Sequence, residues 1–169
     1  MDEFIRDFRP DGPNDDRRWL ESLIEKTGDI SYPALYAMLT RNANDEYHIR
    51  QVLIIIINLY VPPQNLSDFV APITTLLGHK SGDIRGVAAR ALGKIGTPSD
   101  LQSIYILLYD SELLIKFSAL RTLAEYGNAQ TLSAIDLWIR FLPVDICVHF
   151  DKFLTYRNQL ATRLGKDLR

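Results

Sequence analysis

The chain has 169 residues, of which 47% are hydrophobic and 24% are charged. This length suits a single domain, and the composition is typical of a folded protein rather than a disordered or collagen-like chain. Nineteen Lys and Arg against twenty-one Asp and Glu give a net charge of -2, which disfavours a protein that mainly grips nucleic-acid phosphates.

The cysteine content and the apolar runs indicate where the protein works. Its single cysteine, Cys147, cannot form an internal disulfide or a cysteine metal cluster, and we expect a small buried apolar side chain there. The acidic start, residues 1–4, does not have the pattern of a secretory signal. The longest apolar run, residues 52–57, is far shorter than the about 20 residues that cross a bilayer. We therefore expect a cytoplasmic protein without a membrane span.

The predicted elements, in chain order, are all helical. Residues 1–12 form a predicted flexible acidic N-terminus, and a leading helix follows at about 13–27. Apolar residues then recur at i, i+3, i+4 and i+7, and no segment alternates apolar and polar residues as a half-buried strand does. A single domain, 13–165, precedes a short tail, 166–169. Its helical period predicts four helix pairs, at about 31–60, 65–95, 98–126 and 129–165.

Prolines and capping residues set the predicted helix ends. Pro72 should kink the first helix of the second pair, and Pro143 should separate the last two helices. At the start of the third pair, Thr97 is the predicted N-cap and Pro98 the first helical residue. The basic residues from Lys152 onward are predicted to be a solvated or frayed end of the chain.

Part of the sequence repeats. Residues 84–96 reappear 31 positions later as residues 115–127, with basic, small and apolar residues at matching places and a glycine closing both segments. The same frame starts 35 positions earlier, at Ile49. A period of this length is typical of stacked helix pairs, in which each pair buries its apolar face against its neighbours.

The residues of the repeat resemble those of a known family. The segments that carry the resemblance are Asp83-Ile84-Arg85, Ala88-Ala89, Ala91-Leu92-Gly93 and Ile95-Gly96-Thr97-Pro98. They resemble the HEAT repeat, especially the short bacterial type named after phycobilisome lyases. The resemblance implies an α-solenoid, or α–α superhelix, of about four HEAT-like pairs of a helix A and a helix B. In such a solenoid the B helices line a concave surface that holds partners.

The sequence shows no catalytic or metal-binding constellation. His48, His79 and His149 are scattered, and none belongs to a His-Glu-x-x-His motif. Deoxyhypusine hydroxylase, an iron enzyme with similar repeats, depends on repeated His-Glu pairs that this sequence lacks. Cys147 and His149 would point apart on a helix, because they are two residues apart. We therefore expect no enzymatic activity, cofactor, metal or small-molecule substrate.

The predicted binding surface is a stripe along the B helices. Projection of the second B helix puts its core residues on one side and positions 86, 90 and 94 on the other. Apolar side chains rimmed by arginine are typical of an interface, and the alternative is ordinary surface or a surface covered by the C-terminal helix. The candidate partner-binding residues on this stripe are Ile55, Leu59, Arg90, Lys94, Phe117 and Arg121.

A second set of cations lies at the start of the B helices. This basic ladder consists of Arg50, Arg85 and Lys116. Its interpretation is structural, because the resemblance to HEAT repeats implies that these cations pair with acids or helix ends of the adjacent repeat.

These observations lead to the hypothesis of a non-enzymatic module that binds a protein partner on the concave face. Phe117 and Ile55 are the predicted apolar anchors, and Arg90 and Arg121 are the predicted charge partners. The alternative is an accessory subunit resembling the phycobilisome (bilin) lyases, suggested by the repeat subtype alone. A HEAT-like DNA glycosylase is a third hypothesis, disfavoured by the acidic charge balance and the short chain. Neither nucleic acid nor a membrane is an expected partner.

Overall fold

A computed structural model describes residues 32–41, 45–58, 63–142 and 144–166. No strand occurs among these residues, which confirms the prediction of an all-α protein. The predicted acidic N-terminus, the leading helix, Leu59, Pro143 and the last three residues of the tail lie outside them. None of the described helices is long and apolar enough to cross a membrane.

In the described part of the chain the helices follow one another in four pairs. The α-helices are α1 (Tyr32–Arg41), α2 (Glu46–Asn58), α3 (Val70–Leu76), α4 (Gly82–Ile95), α5 (Leu113–Tyr126), α6 (Ala129–Arg140) and α7 (Phe150–Arg163). The 3₁₀ segments are Pro63–Phe69, Asp100–Tyr109 and Val144–His149. The A helices are α1, the first 3₁₀ segment with α3, the second 3₁₀ segment, and α6. The B helices are α2, α4, α5 and α7, and the third 3₁₀ segment leads into α7.

The A helix of the second pair changes type along its length. It begins as a 3₁₀ helix and becomes α-helical at Val70, two residues before Pro72. Pro72 thus lies in the first turn of α3, where a missing N–H leaves no α-helical hydrogen bond unmade. The kink predicted at Pro72 is therefore a change of helix type just before it.

The A helix of the third pair is 3₁₀ throughout. Leu101, Ile104 and Leu107 recur every three residues along it and are all buried. This spacing suits a helix of three residues per turn, because side chains three apart then lie directly above one another. The apolar period that predicted a helix here is thus satisfied by the tighter form.

The start of this A helix is capped differently from the prediction. The Thr97 carbonyl accepts the N–H of Asp100 at 3.0 Å. The side-chain acceptor is Asp100 and not Thr97. Asp100 Oδ2 accepts the Thr97 N–H at 2.7 Å and the Thr97 hydroxyl at 2.6 Å. The helix itself begins at Asp100, so Pro98 lies before it rather than at its first position.

The B helices pack against one another in chain order, α2 with α4, α4 with α5, and α5 with α7. Small residues let α4 and α5 approach closely. A Cβ added to Gly93 would meet the Thr122 methyl group and lie 2.8 Å from Tyr126 Cδ2. Near the N-terminus of α4, the Ser118 hydroxyl of α5 donates to the Gly86 carbonyl at 3.1 Å. The repeat at 31 positions therefore corresponds to two helices side by side and parallel.

The close approach at Gly93 predicts a steric cost. Gly93→Ala should lower the free energy of unfolding by about 1–3 kcal/mol, because the added methyl group has no space against α5. The control is Gly78→Ala, in an exposed turn where a Cβ meets ordinary van der Waals contact only. That change should be neutral or slightly stabilising. Urea unfolding followed by circular dichroism measures both, and equal stability of the two variants would contradict the close packing.

Candidate functional site

Two members of the basic ladder, Arg50 and Arg85, contact the following helix pair, and the third contacts its own pair. Arg50 Nε donates to Asp83 Oδ2 of the following pair at 2.8 Å. Arg85 does the same one pair later, with Nε 2.7 Å from Asp110 Oδ2 and Nη2 2.8 Å from Asp110 Oδ1. Lys116 Nζ lies 3.4 Å from the Leu108 carbonyl, at the end of the A helix of its own pair.

Arg85 is the most enclosed member of the ladder. Its side chain is 13% exposed and that of Asp110 is 6% exposed. Arg85 also donates to Glu112 Oε1 at 2.9 Å and to the backbone carbonyls of His79 and Lys80. The hydrogen bonds from Arg85 hold the pKa of Asp110 below its ordinary value, and Asp110 in turn raises the pKa of Arg85. Arg85 thus ties the second pair to the third and has no donor left for a ligand.

The Arg85–Asp110 pair predicts a pH-dependent contribution to stability. At pH 7, Asp110→Asn should lower the free energy of unfolding by about 2–3 kcal/mol, because Arg85 loses its enclosed charge partner. The folded pKa of Asp110 lies below the unfolded value. The stabilisation is therefore complete above the unfolded pKa, close to 3.8, and is lost as the pH falls through the folded pKa.

The measurement is urea unfolding of both proteins at pH 7 and at pH values below 4. The difference between them should shrink on acidification. The control is Asp83→Asn, which removes the partner of Arg50 from a solvent-exposed pair and should cost less than about 1 kcal/mol. A difference between the proteins that is independent of pH would show that the charge of Asp110 is not the cause.

Phe117, predicted as an exposed anchor, is covered by α7. Its ring centroid lies 5.3 Å from that of Phe153, 6.4 Å from that of Tyr156 and 5.8 Å from that of His149. Lys152 Nζ is 5.5 Å from the same ring. The apolar anchor at Phe117 is therefore already used inside the protein, as part of the contact between α5 and α7.

The repeat position of Phe117 is buried on α2 and α4, whereas the helix projection placed it on the exposed stripe. The equivalent residues, Gln51 on α2 and Gly86 on α4, are buried. Gly86 lies against Ile115 and Ser118 of α5. This position of the repeat faces the next B helix, so it belongs to the packing between pairs rather than to a free stripe.

Ile55 is the second predicted anchor that the structure corrects. Its side chain is 3% exposed, whereas an anchor for a partner must be accessible. The reason is the composition of α2, which carries apolar residues on nearly every side and buries Val52, Leu53 and Ile56 as well. Leu59, on the same predicted stripe, lies outside the described residues.

The remaining members of the stripe are accessible cations. Arg90 and Arg121 are exposed and Lys94 is half-buried. We name these three residues the inner basic patch. Because α4 and α5 are parallel and repeat at 31 positions, Arg90 lies level with Arg121, and Lys94 lies level with the exposed Glu125. None of the three cations makes an ion pair with another described residue.

Tyr126 borders the inner basic patch and stays protonated. Burial, followed by its hydrogen bond to Glu125 and the charge of that residue, raises the pKa of Tyr126 to about 12, and the charge of Arg90 acts in the opposite direction. The phenol therefore adds a neutral hydroxyl, not a nucleophile, beside the cations at neutral pH.

The residues considered for chemistry do not assemble into a site. In the described ranges, no group of three His, Cys, Asp or Glu side chains is placed to hold a metal ion. His48 Nδ1 lies 2.6 Å from Asp45 Oδ2 at the start of α2. Cys147, predicted to be buried, is exposed, because it lies in the 3₁₀ segment before α7 and not on a packed helix face.

The basic C-terminal end, predicted to be solvated or frayed, instead holds α7 in place. Arg157 Nε donates to Asp136 Oδ1 of α6 at 2.8 Å. Arg163 Nε donates to the Ala124 carbonyl at 3.2 Å, and its Nη2 donates to the Gly127 carbonyl, at the end of α5. A cation at a helix C-terminus is favourable. One feature of the sequence indicates this contact. Asp136 is an acid at an otherwise apolar position of α6, where it needs a basic partner.

Comparison of the chain with protein-family models, with curated proteins and with solved structures finds no match in any of the three. The feature of the described structure that bears on function is therefore the inner basic patch and the helices that carry it.

The contact between Phe117 and α7 predicts a structural role for this side chain. Phe117→Ala should lower the free energy of unfolding by about 2–3 kcal/mol, because it leaves a cavity beside Phe153 and Tyr156. The control is Phe141→Ala, at a position 77% exposed, which should change it by less than about 0.5 kcal/mol at low protein concentration. Urea unfolding measures both. An unchanged stability of Phe117→Ala would show that Phe117 does not stabilise the contact with α7 and is free to bind a partner.

Proposed function

We propose that this protein is a non-enzymatic, cytoplasmic binding module, an α-solenoid of about four HEAT-like helix pairs that captures an acidic protein segment on its inner basic patch. The observation that carries the proposal is the pair of exposed arginines, Arg90 and Arg121, side by side on neighbouring B helices and without an acidic partner among the described residues. A guanidinium group forms paired hydrogen bonds with carboxylates, which are the groups that an acidic protein segment presents.

The contacts between pairs support the solenoid. Each B helix packs on the B helix of the next pair, and the equivalent arginines Arg50 and Arg85 both donate to an aspartate of the following pair, Asp83 and Asp110. Stacked repeats of this kind use nearest-neighbour contacts, which leave one row of helices to form a continuous surface.

The covering of Phe117 supports a partner recognised by charge. With Phe117 packed under α7 and Ile55 in the core, the accessible part of the predicted stripe among the described residues consists of the inner basic patch and Glu125. Charge complementarity at such a surface mainly raises the association rate and excludes partners of the wrong charge. The proposed mechanism is therefore electrostatic capture by a surface that α4 and α5 hold rigid.

The test uses reversal of the two arginines. Arg90→Glu with Arg121→Glu should abolish capture of the acidic partner from a native extract, because like charges then face each other. The matched control reverses two exposed cations elsewhere, Arg140→Glu with Lys166→Glu, which gives the same change of net charge. Affinity capture with mass spectrometry identifies proteins that bind the parent and the control but not the double-arginine variant.

Kinetics with the purified partner then measure the mechanism. The double-arginine variant should slow association at least about tenfold and flatten its dependence on salt, with a smaller effect on dissociation. Circular dichroism checks that the variant is folded. If the folded variant binds the partner as the parent does, the inner basic patch is not the binding surface.

A further inference from the structure

Large apolar side chains are exposed on the last two A helices. On the third A helix, Ile106 is 66% exposed and Tyr109 is 73% exposed. On α6, Leu137 is 59% exposed, and the C-cap residue Phe141 is 77% exposed. Residues three apart on a 3₁₀ helix, or four apart on an α-helix, share a face. Each of these helices therefore presents an apolar edge to solvent.

The two edges belong to helices that lie side by side. Gln102 Nε2 is 3.4 Å from Gln130 Oε1, and the Tyr105 hydroxyl donates to Thr131 Oγ1 at 3.1 Å. The second contact lies further along both helices than the first, since Tyr105 follows Gln102 and Thr131 follows Gln130. The third A helix and α6 therefore run parallel.

The exposed apolar residues of the two helices lie at similar distances beyond these contacts, measured along the helix axes. Tyr109 lies about 8 Å beyond the Tyr105 contact at the rise of a 3₁₀ helix. Leu137 lies about 9 Å beyond the Thr131 contact at the rise of an α-helix. The exposed side chains thus form one surface, the outer apolar patch, which consists of Ile106, Tyr109, Leu137 and Phe141.

The outer apolar patch is almost free of charge. The third A helix has no Asp, Glu, Lys or Arg after Asp100. On α6, Asp136 is paired with Arg157, which leaves Arg140 at the end of the helix. A neutral apolar surface can face an identical surface without like-charge repulsion, and the net charge of -2 opposes association of two chains only weakly.

We propose that the outer apolar patch is the interface between two copies of this chain, related by a two-fold axis. The two parallel helices of one copy pack on the same two helices of the other, with Tyr109 and Phe141 as aromatic anchors. A stable interface buries about 800 Å² on each partner, more than four side chains supply. Exposed polar neighbours, Gln102, Gln130 and Ser133, therefore form its rim.

Sedimentation equilibrium of the full chain, from micromolar to submillimolar concentration, tests the proposal. The parent protein should be in monomer–dimer equilibrium. Leu137→Lys places two like charges in the interface and should raise the dimer dissociation constant at least about thirtyfold. Gln159→Lys makes the same change of charge at an exposed position of α7 and should leave the constant unchanged.

The outcomes separate this proposal from its alternatives. A parent protein that stays monomeric over the whole range overturns the dimer and leaves a different protein as the occupant of the patch. A dimer that persists in Leu137→Lys overturns it too; if that variant loses its helical circular dichroism, Phe141→Ser takes its place. A dimer weakened equally by Gln159→Lys also overturns it. The double-arginine variant of the inner basic patch should remain dimeric, so the two proposals fail independently.

Discussion

The close approach of α4 and α5 is the contact on which the arrangement of the other elements depends. Gly86 and Gly93 let the two B helices meet with almost no space between them. Close packing of this kind sets the distance between the helices. Their register is fixed by directional contacts, the hydrogen bond from the Ser118 hydroxyl to the Gly86 carbonyl and the bidentate contact between Arg85 and Asp110.

The last B helix decides which residues of the predicted stripe are covered. Because α7 packs on Phe117, the apolar material of the predicted stripe stabilises the array, and the cations of the inner basic patch remain accessible. The ties of Arg157 to α6 and of Arg163 to the end of α5 hold α7 in this place. The C-terminal helix is thus part of the packed structure, and it covers the apolar residue Phe117 while Arg90 and Arg121 stay exposed.

The inner basic patch and the outer apolar patch differ in both chemistry and position. The first lies on B helices and is charged, whereas the second lies on A helices and is neutral. Charged surfaces gain association rate and selectivity, and neutral apolar surfaces gain affinity from burial. Because the two patches are on different rows of helices, the proposed dimer would leave the inner basic patch open to the proposed partner.

The sequence by itself determined the helical class and many of the residues that form the core. These properties depend on local periodicity, as with Leu92 and Ile104, which lie in the core as their spacing predicts. Only the tertiary structure decided which flank of a B helix meets its neighbour, so Ile55 and Phe117 were taken for surface residues. A helix projection contains no information on the direction of the next helix. The chain packs α7 against α5 through contacts between residues far apart in sequence, and no local pattern specifies these.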